Sequence, residues 1–205
     1  MPYRLIIFDL DGTLSDSFPW FLRAARMVAD RHGVKRVDDL EALRGKDIPG
    51  VLKALAVPRR RVPFIARDLR KLKRQSLNEI ALFPGVPEML AALAGRGLTL
   101  ALVSSDADAN ARHTLGACVS QFEHFACGVS LFGKARKFRS VMRAARIAPA
   151  ATLAIGDEHR DAEAAKAAGI DFAAVAWGYA NVEALAKCEP VKVFAEVKEI
   201  AAWLR

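Results

Sequence analysis

Hydrophobic positions along the chain follow two rhythms, and the change between them divides it. Behind Arg4, the run Leu5-Ile6-Ile7-Phe8 is continuously apolar, which predicts a strand buried on both faces. From residue 16 to residue 82 the spacing is helical. Phe21, Ala24, Ala25 and Val28 mark a helix over 18–31, closed by His32-Gly33. Shorter helices are expected over 38–43 and 47–56, the second stopped by Val57-Pro58, and a long amphipathic helix over 64–82. No stretch of this region has the pattern of a strand. Pro84-Gly85 then punctuates the chain.

Beyond that point helix and strand alternate. Apolar runs at 98–103, within 122–129, and at 152–155, 172–176 and 191–194 are separated by helical patterns at 87–94, 108–115, 136–146 and 158–168, and a last helix covers 196–203. Doubly buried strands between helices predict an α/β fold: a doubly wound, Rossmann-like parallel sheet with both faces covered. The strand at 4–8 belongs to that sheet. The chain therefore reads as a core of residues 1–15 and 83–205 with an all-helical insertion, a cap, over 16–82.

Composition narrows the class. With 205 residues, 53% of them hydrophobic, the chain has material for one domain with a modest insertion and no disordered character. A formal charge of +8 favours acidic partners, either nucleic acid or small phosphorylated substrates. The densest basic stretch is Arg59-Arg60-Arg61 followed by Arg67, Arg70, Lys71, Lys73 and Arg74. Arg67, Arg70, Lys71 and Arg74 share one helix face, while Ile65, Leu69 and Leu72 take another, which reads as a solvated face. No nucleic-acid motif accompanies it. Cys118, Cys127 and Cys188 lack metal-like spacing and read as free thiols. No run has membrane-spanning length, and the apolar stretch before Asp9 is too brief for a signal peptide, so a cytoplasmic location is expected. Nothing in the sequence speaks to oligomeric state.

Candidate chemistry concentrates at Phe8-Asp9-Leu10-Asp11-Gly12-Thr13-Leu14. Two carboxylates leave the C-terminal end of a strand two residues apart, at the edge where open α/β sheets bind ligands. Carboxylates so close repel unless a positive charge stands beside them, which points to a divalent cation. A plain Asp-Gly turn is the alternative. A calcium loop is excluded, because the positions that should carry its later ligands and glycine hold Thr13, Leu14 and Trp20. Other strands should deliver Ser104-Ser105 and Gly156-Asp157 to the same edge, with Asp161 one helical turn further on and Lys134 and Lys137 at the start of another helix. Carboxylates, hydroxyls and an ammonium at one edge fit phosphoryl transfer.

In chain order, FDLDGTLSDS from Phe8, VSS at 103–105, the lysine at Lys134 and GDEHRD at 156–161 resemble the haloacid dehalogenase superfamily of phosphohydrolases. The insertion sits where the phosphoglycolate phosphatase-like branch carries its cap. The resemblance implies a Mg²⁺-dependent phosphatase acting on a small phosphorylated substrate. Asp9 would be the nucleophile, taking the phosphoryl group as an aspartyl phosphate, and Asp11 the acid, then base, of the two half-reactions. Mg²⁺ would be held by Asp9, the Asp11 backbone carbonyl and Asp157, with Asp161 orienting the site. Ser104 and Lys134 would bind the phosphoryl oxygens, together with Ser105 and Leu10. Asp11 is present, whereas dehalogenase members lack an acid there, so phosphoryl chemistry is expected. The proline that usually follows the family's lysine is missing, which leaves Lys137 as a second candidate. Lys134 is preferred because Phe138 and Val141 then fall further into the helix. Arg44 and Lys46 flank a break between cap helices, and this is either a substrate-contacting loop or a solvated turn. His159 reads as a solvent-facing residue of a first helical turn, and Trp177 as packing. A sugar phosphomutase, a non-catalytic phosphoacceptor module and a basic nucleic-acid binder are the competing readings.

Overall fold

A computed structural model describes residues 3–35, 43–44, 46, 48–128 and 133–205. Its centre is a parallel sheet of six strands in the order β3-β2-β1-β4-β5-β6. The strands are β1 (Leu5–Phe8), β2 (Thr99–Val103), β3 (His124–Ala126), β4 (Thr152–Gly156), β5 (Asp171–Val175) and β6 (Lys192–Phe194). Side chains alternate across a strand, so Ile6 and Phe8 join one core with Leu100 and Leu102, while Leu5 and Ile7 join the other with Ala101 and Val103. The first core is covered by α4 (Val86–Gly95) and α9 (Val197–Trp203), through Leu90, Leu93 and Ile200. The second is covered by α6 (Lys134–Ala145) and α7 (His159–Ala168), through Phe138, Val141 and Ala165, while α5 (Asp108–Leu115) and α8 (Val182–Ala186) follow β2 and β5. This is the doubly wound α/β arrangement expected from the continuous apolar runs.

Register sets the site. Phe8 lies level with Leu102 on β2 and with Ile155 on β4. Parallel strands end on one edge, so the residues following Phe8, Val103 and Ile155 emerge side by side.

Between β1 and α4 lie α1 (Phe18–His32), α2 (Ile48–Ala54) and α3 (Val62–Gln75). Helix α1 packs against α3 around Trp20, Ala24 and Ile80, with Phe21, Leu69 and Leu72 alongside. The two ends of this excursion are tied together: Asp16 N–H donates to the Ala81 carbonyl and Phe83 N–H to the Leu14 carbonyl, each at 2.9 Å. That tie explains why the helix expected over 64–82 stops earlier. The chain passes through a 3₁₀ turn at Leu77–Glu79 and then runs extended, so that Leu82 can pair with Ser15. Ser76 and Asn78 are weak helix formers and ease the exit. The helix also begins earlier, at Val62, because Pro63 is tolerated in a first turn. The helix expected over 38–43 lies almost wholly outside the described residues. The cysteines are free, and among the described residues no helix is long and apolar enough to cross a membrane.

Candidate active site

Asp9 follows β1 directly and is almost fully buried. Its Oδ2 lies 2.9 Å from the Lys134 ammonium and 3.9 Å from the Arg160 guanidinium. Lys134 opens α6 and also contacts Asp161. Burial alone would push the Lys134 ammonium down, but Asp161 and Asp9 outweigh it and hold the group above its usual range.

The end of β4 supplies Asp157, which has no exposed surface. Its Oδ1 accepts a 2.6 Å bond from the Thr13 hydroxyl, and its Oδ2 a 2.8 Å bond from the Tyr179 N–H. Two glycines admit it. A Cβ on Gly12 would stand 2.2 Å from Asp157 Oδ2, and a Cβ on Gly178 the same distance from the Asp157 Cβ. Gly12 also has φ +77°, which other residues adopt only under strain. Burial drives the Asp157 carboxyl well above its ordinary range, and Glu158, Asp161 and Asp9 add to the effect. Asp161 turns one oxygen back on the loop, accepting from the backbone N–H groups of Asp157 at 3.2 Å and Glu158 at 3.1 Å, and so caps α7.

One oxygen from each of Asp9, Glu158 and Asp161 lies within 4.8 Å of the others. Burial raises the Glu158 carboxyl, against the pull of Arg160, with which it is paired. Counting formal charges, four carboxylates (Asp9, Asp157, Glu158, Asp161) face two cations (Lys134, Arg160), an excess of two negative charges. Hard oxygen donors carrying that excess match a hard divalent cation such as Mg²⁺.

The third contribution comes from β2 and from the inserted helices. Ser104 is buried, and its hydroxyl accepts from the Asp106 N–H at 3.1 Å, while Ser105 is partly exposed beside it. Asp106 is fixed through Oδ1, which accepts from Ala107 N–H at 2.8 Å and from the Asn110 amide at 2.9 Å. Its Oδ2 meets the ammonium of Lys73, on α3, at 2.7 Å. That same ammonium lies 2.6 Å from both Asp11 oxygens.

The expected residues therefore emerge at one sheet edge: Asp9, Leu10 and Asp11 after β1, Ser104 and Ser105 after β2, and Asp157 and Asp161 after β4, with Lys134 reaching in from α6. The buried Leu10 carbonyl takes part in the loop turn, accepting from the N–H groups of Leu14 and Ser15 at 2.9 Å each. Arg44 lies beside this edge. Its guanidinium bonds the Tyr179 carbonyl at 3.1 Å, contacts the Gly178 carbonyl, and stacks over Phe18 with 4.7 Å to the ring centroid. Lys46 is exposed. Trp177 donates to the Thr13 carbonyl and packs on Phe83, a packing role. His159 is only partly exposed, with Nδ1 3.1 Å from the Cys188 sulfur. In the sequence nothing local marks Glu158, Arg160, Thr13 or Tyr179 as part of the site, and Lys73 stands within a basic run. Lys73 did carry a signal: with Ile65, Leu69 and Leu72 it falls at i, i+4, i+7, i+8, on the apolar stripe of its helix.

A sequence profile of the haloacid dehalogenase-like hydrolase family matches residues 6–175. Among curated relatives, a phosphoglycolate phosphatase of Synechococcus elongatus is 32% identical over 91% of this chain and 90% of its own length. A probable phosphatase, IndB, of Dickeya dadantii is 33% identical over 94% of this chain and 91% of its own. Among solved structures, a putative phosphoglycolate phosphatase from Lactobacillus plantarum superimposes with a TM-score of 0.85 at 20% identity, covering 98% of this chain and 99% of the other.

Proposed function

Belonging to the haloacid dehalogenase-like hydrolase family, the chain is a phosphatase, and we propose that it hydrolyses a small phosphorylated metabolite, phosphoglycolate or a compound like it, through an aspartyl phosphate on Asp9. The observation that carries this reading is the setting of Asp9. A buried carboxylate at the ligand-binding edge has one oxygen paired with Lys134 at 2.9 Å, and Glu158 and Asp161 converge beside it.

Asp9, Glu158 and Asp161 would hold Mg²⁺, with the Asp11 carbonyl and Asp157 adjoining. Each Asp157 oxygen that accepts a hydrogen bond keeps a further lone pair, so a place for it among the ligands stays open. The ion would neutralise phosphoryl oxygens as charge develops on them. In the first half-reaction an Asp9 oxygen forms a bond to phosphorus while the ester P–O bond breaks, and the leaving oxygen takes a proton from Asp11. In the second, Asp11 takes a proton from water, whose oxygen bonds to phosphorus as the Asp9 acyl phosphate breaks. Two easier displacements replace one hard one. Lys134 and the Ser104 hydroxyl would hold the phosphoryl oxygens, Lys134 also limiting the charge on Asp9. The inserted helices act as the cap that excludes water.

The test is phosphate release from phosphoglycolate with Mg²⁺, wild type beside Asp9→Asn. Loss of the nucleophile should lower kcat by roughly a thousandfold or more. A variant rate within tenfold of wild type would remove Asp9 from the mechanism.

A further inference from the structure

Lys73 reaches the site from α3, an inserted helix, and not from the sheet edge or the helices that cover the sheet. It is buried on an inserted helix, where a lysine is costly unless it is paired. Its two carboxylate partners differ. Asp106 is held through Oδ1 by two hydrogen bonds, and its side chain is only 3% exposed. The Asp11 side chain is 17% exposed, and its further hydrogen bond is a long one, 3.5 Å from the Ser15 hydroxyl. Asp106 is therefore the fixed partner of Lys73, and Asp11 the exchangeable one.

We propose that Lys73 is a specificity-determining residue: it receives an anionic group carried by the leaving alcohol of the substrate, which takes the place Asp11 holds at the ammonium. The inference rests on the phosphatase reading above. Lys73 and Asp106 form a neutral pair at 2.7 Å, so a substrate carboxylate can take over from Asp11 as the second anionic partner of the ammonium. The ammonium stands 2.6 Å from the group that serves the ester oxygen, which puts it within reach of a carboxylate one carbon from that oxygen. Asp11, released from the ammonium, takes up a proton from water and turns to the ester oxygen as its acid. The substrate class selected is a short phosphoester whose alcohol bears a carboxylate.

Phosphoglycolate and ethyl phosphate have the same two-carbon skeleton and differ in that carboxylate, so the ratio of their kcat/KM values, measured with Mg²⁺, reads the contact directly. Lys73→Met should lower this ratio by about 30-fold, the value of one charge-assisted contact. A cap-holding role alone would depress both substrates alike, and a ratio within about threefold of wild type would overturn the proposal. Lys73→Gln, which keeps a donor for Asp106, replaces the Met variant should that one fail to fold. Calorimetric titration in the Asp9→Asn background gives a readout independent of turnover. There, adding Lys73→Met should weaken phosphoglycolate binding roughly tenfold and ethyl phosphate binding less than about twofold. Equal weakening overturns the proposal. Wild-type protein that turns over neither compound would remove phosphoglycolate as the substrate, while the titration still decides Lys73.

Discussion

Placing a methyl group on Gly178 tests whether Asp157 is wedged as tightly as its contacts imply. The new Cβ would lie 2.2 Å from the Asp157 Cβ, 2.4 Å from Oδ2 and 2.5 Å from Cγ. Ordinary carbon contacts begin near 3.5 Å, so one of the two residues must give by about 1 Å. Asp157 cannot swing aside cheaply, because its oxygens are held by Thr13 at 2.6 Å and by the Tyr179 N–H at 2.8 Å, and Gly12 closes its other side. The loop carrying Gly178 is tied down as well, since the Ala180 N–H donates to the Asp157 carbonyl at 3.2 Å. Overpacking of a close-packed interior costs about 1–3 kcal/mol, and a clash this deep belongs at the upper end, about 3 kcal/mol. For a chain of this size that corresponds to a fall in Tm of roughly 6–12 °C. Urea and thermal unfolding of Gly178→Ala, run in chelator, would measure it, beside Gly95→Ala as control. Gly95 ends α4 with nothing within 4 Å of a new Cβ, and there alanine should be neutral or stabilising by up to about 1 kcal/mol. A Gly178→Ala variant within about 0.5 kcal/mol of wild type would refute the wedge.

Two further changes probe the charges. Lys134→Met removes the ammonium that the buried Asp9 and Asp161 share, leaving Arg160 at 3.9 Å from Asp9, which should cost about 3–5 kcal/mol in urea unfolding, with Mg²⁺ narrowing the gap; a loss below about 1 kcal/mol would mean that the ammonium is not what compensates them. Acid should loosen the inserted helices before the sheet. The hydrogen bond from His32 holds the Asp68 carboxyl below its usual 3.8, against burial, with Arg31 and Arg67 assisting. A depressed folded-state pKa gives stability that is present above that usual value and is lost as pH falls through the depressed one. Trp20 lies in the small core of α1 and α3, so its fluorescence should report an acid transition that Asp68→Asn removes; an unchanged transition in the variant would assign the acid step to other groups.

What the sequence made legible follows from how local each signal is. Strands buried on both faces leave an unbroken apolar run, so the sheet and the edge that gathers Asp9, Ser104 and Asp157 could be read directly. The FDLDGT and GDEHRD stretches lie within a few residues of such runs. The overlong helix at 64–82 failed for the opposite reason: its end is set by pairing between Ser15 and Leu82, which no local pattern encodes. The surroundings of Asp157 were illegible in the same way. Its oxygens are engaged by Thr13 and Tyr179 and its flanks by Gly12 and Gly178, from loops at opposite ends of the chain.

The counter-charges of the site have two different origins, and this divides the control of its chemistry. Lys134 and Arg160, which stand by Asp9, ride on helices packed against the sheet. The setting of Asp9 is therefore fixed whenever the sheet is folded. Lys73, which stands by Asp11, arrives on an inserted helix whose own small core is separate from those of the sheet. Asp11 and Asp106 share that one ammonium, so any movement of the inserted helices away from the sheet exposes two neighbouring carboxylates without compensation. The electrostatics thus favour the closed arrangement, and they exert that pull at the carboxylate that would exchange protons with the leaving group. A lysine set into an apolar helix stripe is poor packing taken alone; as the cation two sheet-edge carboxylates share, it links the position of the inserted helices to the state of the site.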